Sequence, residues 1–187
     1  MITGQSGAGK GTLIQRLVGL FPRLQLAISA TTRPRRPGEI EGVHYYFITA
    51  EEFDRRLAAD EFLEYHAFPW GQRSGTLRSE IRRIGDADRV CVLELETEGA
   101  LNVADREPRA VTIFITATLA ELERRLRERA TESAGEIEER LSVAREQLDV
   151  ADRFDYVVEN DDLERASDEL AGIVRGLLAP AGTMLRP

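Results

Sequence analysis

The chain has 187 residues, 42% hydrophobic and 31% charged, which suits one globular domain carrying small inserted subdomains. The formal net charge of −8 argues against a general nucleic-acid binder, and no apolar run approaches the roughly 20 residues that cross a bilayer. A single cysteine, Cys91, excludes an internal disulfide and favours a cytoplasmic location, and two histidines give no metal-site spacing.

The first motif is Gly4-Gln5-Ser6-Gly7-Ala8-Gly9-Lys10-Gly11-Thr12, which is typical of a loop that binds phosphate. Glycines let the backbone approach a ligand closely and aim its N–H groups inward, towards a helix that begins near Lys10. The spacing is G-x-x-x-x-G-K, with Gly11 where serine or threonine is usual and Thr12 one place later. The other 24 of the 25 Lys+Arg residues are arginine, so the only lysine stands in this loop. The motif predicts nucleotide binding.

Three residues, Met1-Ile2-Thr3, precede the loop where a buried strand is expected. The first strand is therefore expected to be truncated, or the true start of the protein lies upstream. After the loop, apolar spacing predicts a helix over 11–20, and a short strand follows over 24–28.

A basic loop comes next, Ser29-Ala30-Thr31-Thr32-Arg33-Pro34-Arg35-Arg36-Pro37-Gly38-Glu39. Three arginines on a chain of net charge −8 suggest an anion site, and a solvated basic loop is the alternative. Beyond it we expect strands over 43–48 and 62–65, helices over 51–59 and 77–84, and a turn over 70–75. These short antiparallel strands and two helices are expected to form an insertion in the main sheet.

The remaining chain alternates buried strands with helices. Strands are predicted over 89–96, 112–115 and 156–158, and helices over 97–104, 118–129, 136–151 and 162–178. This order indicates an α/β fold with a doubly wound parallel sheet and functional sites at the carboxyl ends of its strands. Cys91 lies in the first of these strands and is expected to be a buried core residue rather than a nucleophile, and 130–135 is expected to be a mobile loop.

At this point the chain resembles the guanylate kinases, from residue 2 to about 178. The resemblance rests on the phosphate loop and an ordered set of further stretches: 29–33, 36–39, 42–45, 62–64, Arg125 and Arg129, Arg140 with Leu141, and 155–162. It implies a P-loop core over 1–28, 89–125 and 141–187 with a truncated first strand, a GMP-binding subdomain inserted over 29–88, and a short lid over 126–140.

The resemblance also implies an acceptor site for GMP. Glu64 would read guanine, because a carboxylate accepts hydrogen bonds from the N1–H and the exocyclic amine, which adenine cannot offer at those positions. Ser29 would contact the base, and Arg33, Arg36 and Tyr45 would hold the phosphate. The full implied set is Ser29, Arg33, Arg36, Tyr45, Glu64, Ser74, Thr76 and Glu94.

The implied donor is ATP, which would bind Gly4, Ser6, Gly7, Ala8, Gly9, Lys10, Gly11, Thr12, Asn160 and Asp161. Phosphoryl transfer needs alignment and charge neutralisation more than a chemical base. The implied catalytic groups are Lys10, Arg36, Arg125, Arg129 and Arg140, together with Mg²⁺ that accompanies ATP and contacts Glu94 and Glu96 through water. The partners would be these nucleotides, without nucleic acid or membrane, and the protein would be a monomer or a homodimer.

The sequence departs from the family pattern in several places. Ser74 stands where a tyrosine is usual, beside a one-residue insertion around Pro69 and Trp70; Glu94 and Glu96 replace two aspartates, and Ala130 replaces a lid glycine. The leading interpretation is transfer of a phosphoryl group from ATP to GMP, giving ADP and GDP. Two alternatives are a kinase acting on another phosphorylated acceptor, such as a ribose bisphosphate, and a non-catalytic binding module.

Overall fold

A computed structural model of the chain describes residues 1–68, 70–128 and 134–179, without the side chains of 134–136. The chain divides into two compact units. The first unit comprises Met1–Thr3 and Pro22–Thr112, and the second comprises Gly4–Phe21 and the chain from Ile113 onwards.

The first unit contains a small parallel layer. Strand β1 (Ile2–Gly4) begins there: Ile2 N donates to Leu93 O at 2.8 Å, and Leu95 N donates to Ile2 O at 3.1 Å. Beyond α1 (Lys10–Leu20), strand β2 (Leu24–Leu26) pairs with a later strand in parallel register. Ile2, Leu24 and Val92 are buried in this layer, whereas Leu26 and Cys91 are half-buried and Val90 is exposed.

A four-stranded sheet forms the rest of the first unit. Its strands are β3 (Ala30–Thr31), β4 (Tyr46–Phe47), β5 (Phe62–Ala67) and β6 (Arg73–Leu77), in the order β4-β3-β6-β5. The β3–β4 pair is parallel, and β6 runs antiparallel to both its neighbours. Helix α2 (Ala50–Ala58) packs on this sheet through Phe53, which is fully buried with Ala30, Phe62 and Leu77.

A β-bulge gives this sheet two chemically different faces. Phe62 pairs with Leu77, but the next pair is Glu64 with Thr76, so Leu63 is an extra residue on β5. In a regular strand of the same sequence, Glu64 would lie on the same face as Phe62, because strand side chains alternate. The bulge therefore directs Phe62 into the core and Glu64 onto the opposite, polar face.

The first unit continues with α3 (Arg78–Asp86), β7 (Val90–Val92) and α4 (Thr97–Arg106). Strand β7 is the parallel partner of β2. Glu80 of α3 is buried, and its carboxylate accepts from Ile28 N, the Tyr46 hydroxyl and Arg83. Buried charges persist when they are paired in this way, so we assign Glu80 a structural role.

The second unit is built on parallel strands β8 (Ile113–Thr116) and β9 (Tyr156–Glu159), which pair from Ile113 opposite Tyr156. Its helices are α1, α5 (Leu119–Glu128), α6 (Ala134–Leu148) and α7 (Leu163–Leu178). Helices α1 and α7 pack together, and an ion pair of 2.7 Å joins Arg16 to Glu164.

The predicted α/β class with parallel strands is confirmed, and most predicted helices begin or end within three residues of the observed bounds. Three predictions about the insertion were wrong. The expected turn over 70–75 contains the start of β6, and the strand expected over 43–48 is reduced to β4 because Gly42 N bonds Tyr45 O and turns the chain. The insertion is also not wholly antiparallel. Most of the predicted loop over 130–135 lies outside the described residues.

Cys91 lies in β7 and is half-buried rather than fully buried. Burial raises the pKa of its thiol to about 11, so the thiol stays protonated at neutral pH and is not a nucleophile. Within the described residues, no helix is both long and apolar enough to cross a membrane.

Candidate active site

The phosphate loop lies in the second unit, between β1 and α1. Gly4 has φ 144°, and a Cβ built there would lie 1.9 Å from Ile115 O, so no side chain fits. Gly9 has φ 84° and is the N-cap of α1, and its Cβ would lie 2.6 Å from Asn160 Nδ2. Two of the three predicted loop glycines are thus required by backbone conformation and by close approach. The predicted helix start near Lys10 is confirmed.

The Lys10 ammonium is held inside the loop. Its Nζ donates to Gly4 O at 2.8 Å and to Gln5 O at 3.1 Å. These carbonyls fix the position of a positive charge at the N-terminus of α1, where backbone N–H groups already favour an anion. The loop therefore presents the lysine in the place that a phosphate-binding role needs.

Gln5 links the loop to two other elements of the second unit. Its side chain is fully buried: Nε2 donates to Ala144 O of α6 at 2.9 Å, and Oε1 accepts from Thr116 Oγ1 at 2.7 Å and Ala117 N at 2.9 Å. A second contact to α6 runs from the next residue of the loop, whose N donates to Gln147 Oε1 at 3.0 Å. The loop is thus fixed to the end of β8 and to α6.

Arg125 and Asn160 meet the loop at Ala8. Arg125 Nη2 donates to Asn160 O at 2.6 Å and Nη1 to Ala8 O at 3.3 Å, while Asn160 Nδ2 donates to the same Ala8 O at 2.6 Å. Asn160 Oδ1 is buried and has no hydrogen-bond partner among the residues that the structure describes. These groups border a cavity of about 350 Å³ lined by Gly7, Gly9, Thr12, Arg125, Glu128, Asn160 and Leu163. Three separately predicted parts of the donor site are therefore adjacent.

The other predicted donor residues are placed as follows. Ser6 is half-buried in the loop, Gly11 is exposed on the first turn of α1, and Asp161 Oδ1 accepts from Thr118 N at 2.9 Å. Arg140 is half-buried on α6, one turn before Ala144. Arg129 and Ala130 lie outside the described residues, so their assignments stay predictions.

In the first unit, the basic loop is organised by an acidic side chain. Arg33 Nη1 donates to Glu39 Oε2 at 2.7 Å, Arg33 Nη2 bonds the other carboxylate oxygen, and Arg36 N donates to Oε2 at 2.7 Å. The Arg33 guanidinium lowers the pKa of Glu39 to about 2, so this carboxylate is ionised at all physiological pH values. The Arg33 fork thus holds an anionic group of the protein, in the geometry that suits a phosphate.

A wide cavity opens beside this loop. The Arg33 guanidinium lies 4.9 Å from the centre of the Tyr45 ring, and the Arg36 side chain is exposed. The cavity has a volume of about 480 Å³ and is lined by Thr31, Arg33, Arg36, Tyr45, Phe68, Trp70, Gln72 and Ser74. It therefore brings together four residues predicted for the acceptor, Arg33, Arg36, Tyr45 and Ser74.

Glu64 lies on the polar face of the four-stranded sheet. Its Oε1 accepts a hydrogen bond from Thr76 N at 2.9 Å. A Cβ at Gly99 would lie 3.0 Å from Glu64 Oε2, so a larger residue at position 99 would crowd the carboxylate. Burial is the largest influence on this group and raises the pKa of Glu64. A half-buried carboxylate that accepts from Thr76 has acceptor capacity left for a ligand.

Strand register places the remaining acceptor residues. Thr76 pairs with Glu64, and Ser74 pairs with both His66 and Thr31, so these side chains share the polar face. Ser29 precedes Thr31 by two residues and is expected on the same face by alternation, and its O accepts from Tyr46 N at 2.9 Å.

Glu94 and Glu96 follow β7 as exposed acids flanking the buried Leu95. In the described parts of the chain, no group of three or more His, Cys, Asp or Glu side chains is arranged to hold a metal ion. Any magnesium near these acids would therefore depend on water and on nucleotide phosphates for most of its ligands, as is usual for this ion.

Several residues around both cavities were missed by sequence reasoning. The position after Gly4 in the loop pattern can hold any residue, so burial of Gln5 had no signal. Glu39 was noted only as part of a motif, Trp70 and Gln72 fell in the expected turn, and Phe68 lay between that turn and the predicted strand over 62–65. The one available signal was the insertion around Trp70, which changes the length of the β5–β6 connection.

Comparisons with known proteins agree with this geometry. The guanylate kinase family profile matches residues 1–177. The guanylate kinase of Synechococcus sp. (strain JA-3-3Ab) is 45% identical over 175 residues, which cover 93% of this chain and 80% of that protein. The guanylate kinase of Rubrobacter xylanophilus is 41% identical over 180 residues, which cover 96% of this chain and 94% of that protein. The crystal structure of guanylate kinase from Anaplasma phagocytophilum superposes with a TM-score of 0.74 at 27% identity, covering 95% of this chain and 85% of that one. The chain belongs to the guanylate kinase family.

Proposed function

We propose that the protein transfers a phosphoryl group from ATP to GMP, giving ADP and GDP, with the donor bound by the second unit and the acceptor by the first. The observation that carries this proposal is Glu64. It is a half-buried carboxylate, placed by a bulge on the polar face that also carries Ser74 and Thr76, in a protein whose phosphate loop keeps its glycines and Lys10.

The acceptor base would be selected by hydrogen-bond pairing. Guanine presents N1–H and an exocyclic amine side by side, and an ionised Glu64 accepts from both. Adenine would leave this carboxylate buried and unpaired, which costs a site of this kind several orders of magnitude in selectivity. Ser29 and Thr76 share the face and would make further polar contacts to the nucleoside, with Glu94 contributing on the ribose side.

The acceptor phosphate would bind the basic loop. Arg33 and Arg36 provide two guanidinium groups beside Tyr45, and forks of this kind match phosphate oxygens. Because Glu39 holds the Arg33 fork before substrate arrives, the arginine is already oriented, and the incoming phosphate would share or displace that carboxylate. Ser74 would add a hydroxyl at the wall of the same cavity.

The donor would occupy the second unit. Backbone N–H groups of the loop, the α1 N-terminus and Lys10 would hold the ATP phosphates, and Lys10 would neutralise the charge that develops during transfer. The buried Asn160 Oδ1 would accept from the exocyclic amine of adenine, with Asp161 next to it. Arg125, Arg129 and Arg140 would close on the phosphates and exclude water.

Magnesium fits this site as an ion carried with ATP. Mg²⁺ prefers hard oxygen ligands and keeps several waters, so few protein oxygens are needed. Thr12 lines the donor cavity and would offer a hydroxyl oxygen, and the exposed Glu94 and Glu96 remain predicted ligands through water. When bound, the ion supplies charge neutralisation for the β- and γ-phosphates.

The two alternatives have less support. A non-catalytic module has no need of a lysine held at the start of α1, and a ribose bisphosphate gives Glu64 no base edge to read. The curated relatives reported above carry the name guanylate kinase at 41–45% identity. A cytoplasmic location, as the cysteine content predicts, belongs to the same proposal.

A coupled assay of ADP release tests the function directly. Purified protein is given MgATP with GMP, dGMP, AMP, UMP or CMP in turn, and we expect turnover of GMP and dGMP far above that of the other acceptors. A folded sample without preference for guanine nucleotides would contradict the proposal. Calorimetry with ATP separates the non-catalytic alternative, which predicts no ATP binding.

A further inference from the structure

The connection between β5 and β6 carries an aromatic ladder. The rings of His66 and Phe68 meet edge to face with centroids 4.7 Å apart, and the rings of Phe68 and Trp70 stack with centroids 5.0 Å apart and planes 14° from parallel. The turn is closed on both sides of Trp70, because Phe68 N donates to Gln72 O at 2.8 Å and Gly71 N donates to Phe68 O at 2.9 Å. The ladder is therefore a defined feature of the hairpin.

Strand register places this ladder on the polar face. His66 pairs with Ser74, and Ser74 pairs with Thr31, so the first ring of the ladder, His66, lies beside residues predicted for the acceptor. The last ring of the ladder, Trp70, lines the same cavity as Arg33 and Arg36. An aromatic wall and two phosphate-binding side chains thus border one space.

The exposure of Trp70 is hard to explain by stability. Its side chain is 68% exposed, the highest fraction among the large hydrophobic side chains in the described chain, although Phe68 covers part of one ring face. Large exposed aromatic groups beside a cavity are typical of ligand contacts, and tryptophan loses little conformational entropy on binding because it has two side-chain torsions.

We propose that Trp70 contacts the acceptor nucleotide, with its indole covering the phosphate–ribose end of GMP against Arg33 and Arg36. This inference rests on the proposed function. The contact removes water from one side of the bound phosphate, which strengthens the attraction between the phosphate and the two guanidinium groups. It is independent of the base, so it sets affinity for nucleoside monophosphates while Glu64 sets the choice among them.

Trp70 is the only tryptophan in the sequence, so intrinsic fluorescence reports on this position alone. We expect a saturable change in emission when GMP is added without ATP, with a midpoint near the KM for GMP. The control is the double variant Trp70→Phe with Tyr156→Trp, which moves the only tryptophan to an exposed position on β9. The fluorescence of this variant should show no saturable response to GMP. A response equal to that of the wild type would overturn the proposed contact between Trp70 and GMP.

Kinetics of Trp70→Ala provide the second readout. Loss of the covered area should raise the KM for GMP and for dGMP about tenfold, with kcat, the KM for ATP and the GMP/AMP preference close to wild type. Trp70→Phe should retain most of the affinity, because covering rather than hydrogen bonding is the proposed action. Leu177→Ala, which truncates an exposed side chain of α7, serves as the control and should leave all these constants unchanged.

The outcomes separate this inference from the proposed function. Normal GMP turnover with an unresponsive Trp70 and an unchanged KM in Trp70→Ala would overturn the contact and leave the function intact. Absence of both GMP turnover and a fluorescence response in folded wild-type protein would overturn both. A changed GMP/AMP preference in Trp70→Ala would also contradict it, since it would place the indole on the base.

Discussion

The candidate donor site and the candidate acceptor site differ in how their side chains are held. In the second unit the groups are fixed by the backbone and by buried polar contacts: Lys10 bonds two loop carbonyls, and Gln5 is fully buried with three side-chain hydrogen bonds. In the first unit they are side chains of a sheet face and a basic loop, bordering a cavity that is open to solvent. The difference predicts that substitutions in the second unit alter kcat and the free energy of unfolding, whereas substitutions in the first unit alter the KM for GMP and the preference for GMP over AMP.

The largest effect is expected at Lys10. Lys10→Met removes the charge at the start of α1 but keeps the length of the side chain, so kcat should fall about 1,000-fold, the range measured when a group that stabilises transition-state charge is lost. The KM for GMP should change little. Steady-state kinetics test this, with Arg16→Met as the control, since Arg16 makes a surface ion pair on the same helix. A large rise in the KM for GMP would contradict the division between the two candidate sites.

A large change in selectivity is expected at Glu64. Glu64→Gln should lower the GMP/AMP ratio of kcat/KM about 100-fold, because the carboxamide cannot accept from both guanine donors. Burial raises the pKa of Glu64, so wild-type kcat/KM for GMP should fall as pH drops towards that raised value, and this acid limb should be absent from the variant.

Glu107→Gln, an exposed site after α4, is the matched control and should leave the ratio unchanged. An unaltered GMP/AMP ratio in Glu64→Gln would remove Glu64 from base recognition.

Gln5 tests whether the candidate donor site depends on its buried contacts. Gln5→Leu keeps the volume but leaves Thr116 Oγ1, Ala117 N and Ala144 O without this partner, which should cost about 3 kcal/mol of unfolding free energy. The loosened loop should lower kcat about tenfold and raise the KM for ATP, with the KM for GMP unchanged. Denaturant unfolding and kinetics measure both effects, and Gln15→Leu, exposed on α1, is the control. Loss of stability with normal kinetics would show that the contacts serve folding alone.

The smallest effect is expected at Glu39 and depends on pH. Pairing with Arg33 lowers the pKa of Glu39 to about 2 in the folded chain, below the ordinary value of 4.5, so the pair stabilises the fold above pH 4.5 and this contribution is lost as pH falls towards 2. Glu39→Gln should therefore melt below wild type at pH 6, and the gap should close as pH drops. Glu169→Gln, exposed on α7, should show no such trend. A gap that is constant with pH would mean that Glu39 acts through packing.

The sequence alone predicts the candidate donor site more completely than the candidate acceptor site, for physical reasons. Gly4, Gly9 and Lys10 are required by local backbone geometry and adjacent chemistry, so their spacing is visible in a short motif. The resemblance supplied the candidates Arg33, Tyr45 and Ser74, which the structure places at one cavity. Strand β6 was missed because Ser74, Gly75 and Thr76 show no alternation of apolar side chains, although β6 lies between two other strands. The contacts of Gln5 and Glu39 depend on partners that no local pattern reveals.

The bulge at Leu63 has a consequence for how selectivity is encoded. Glu64 reaches the polar face only because one residue more lies on β5 than on β6 between the pairs Phe62–Leu77 and Glu64–Thr76. If Leu63 were instead paired in regular register, Glu64 would share the face of Phe62, and the carboxylate would turn into the apolar core. The proposed recognition of the base therefore depends on the register of β5 as much as on the identity of Glu64.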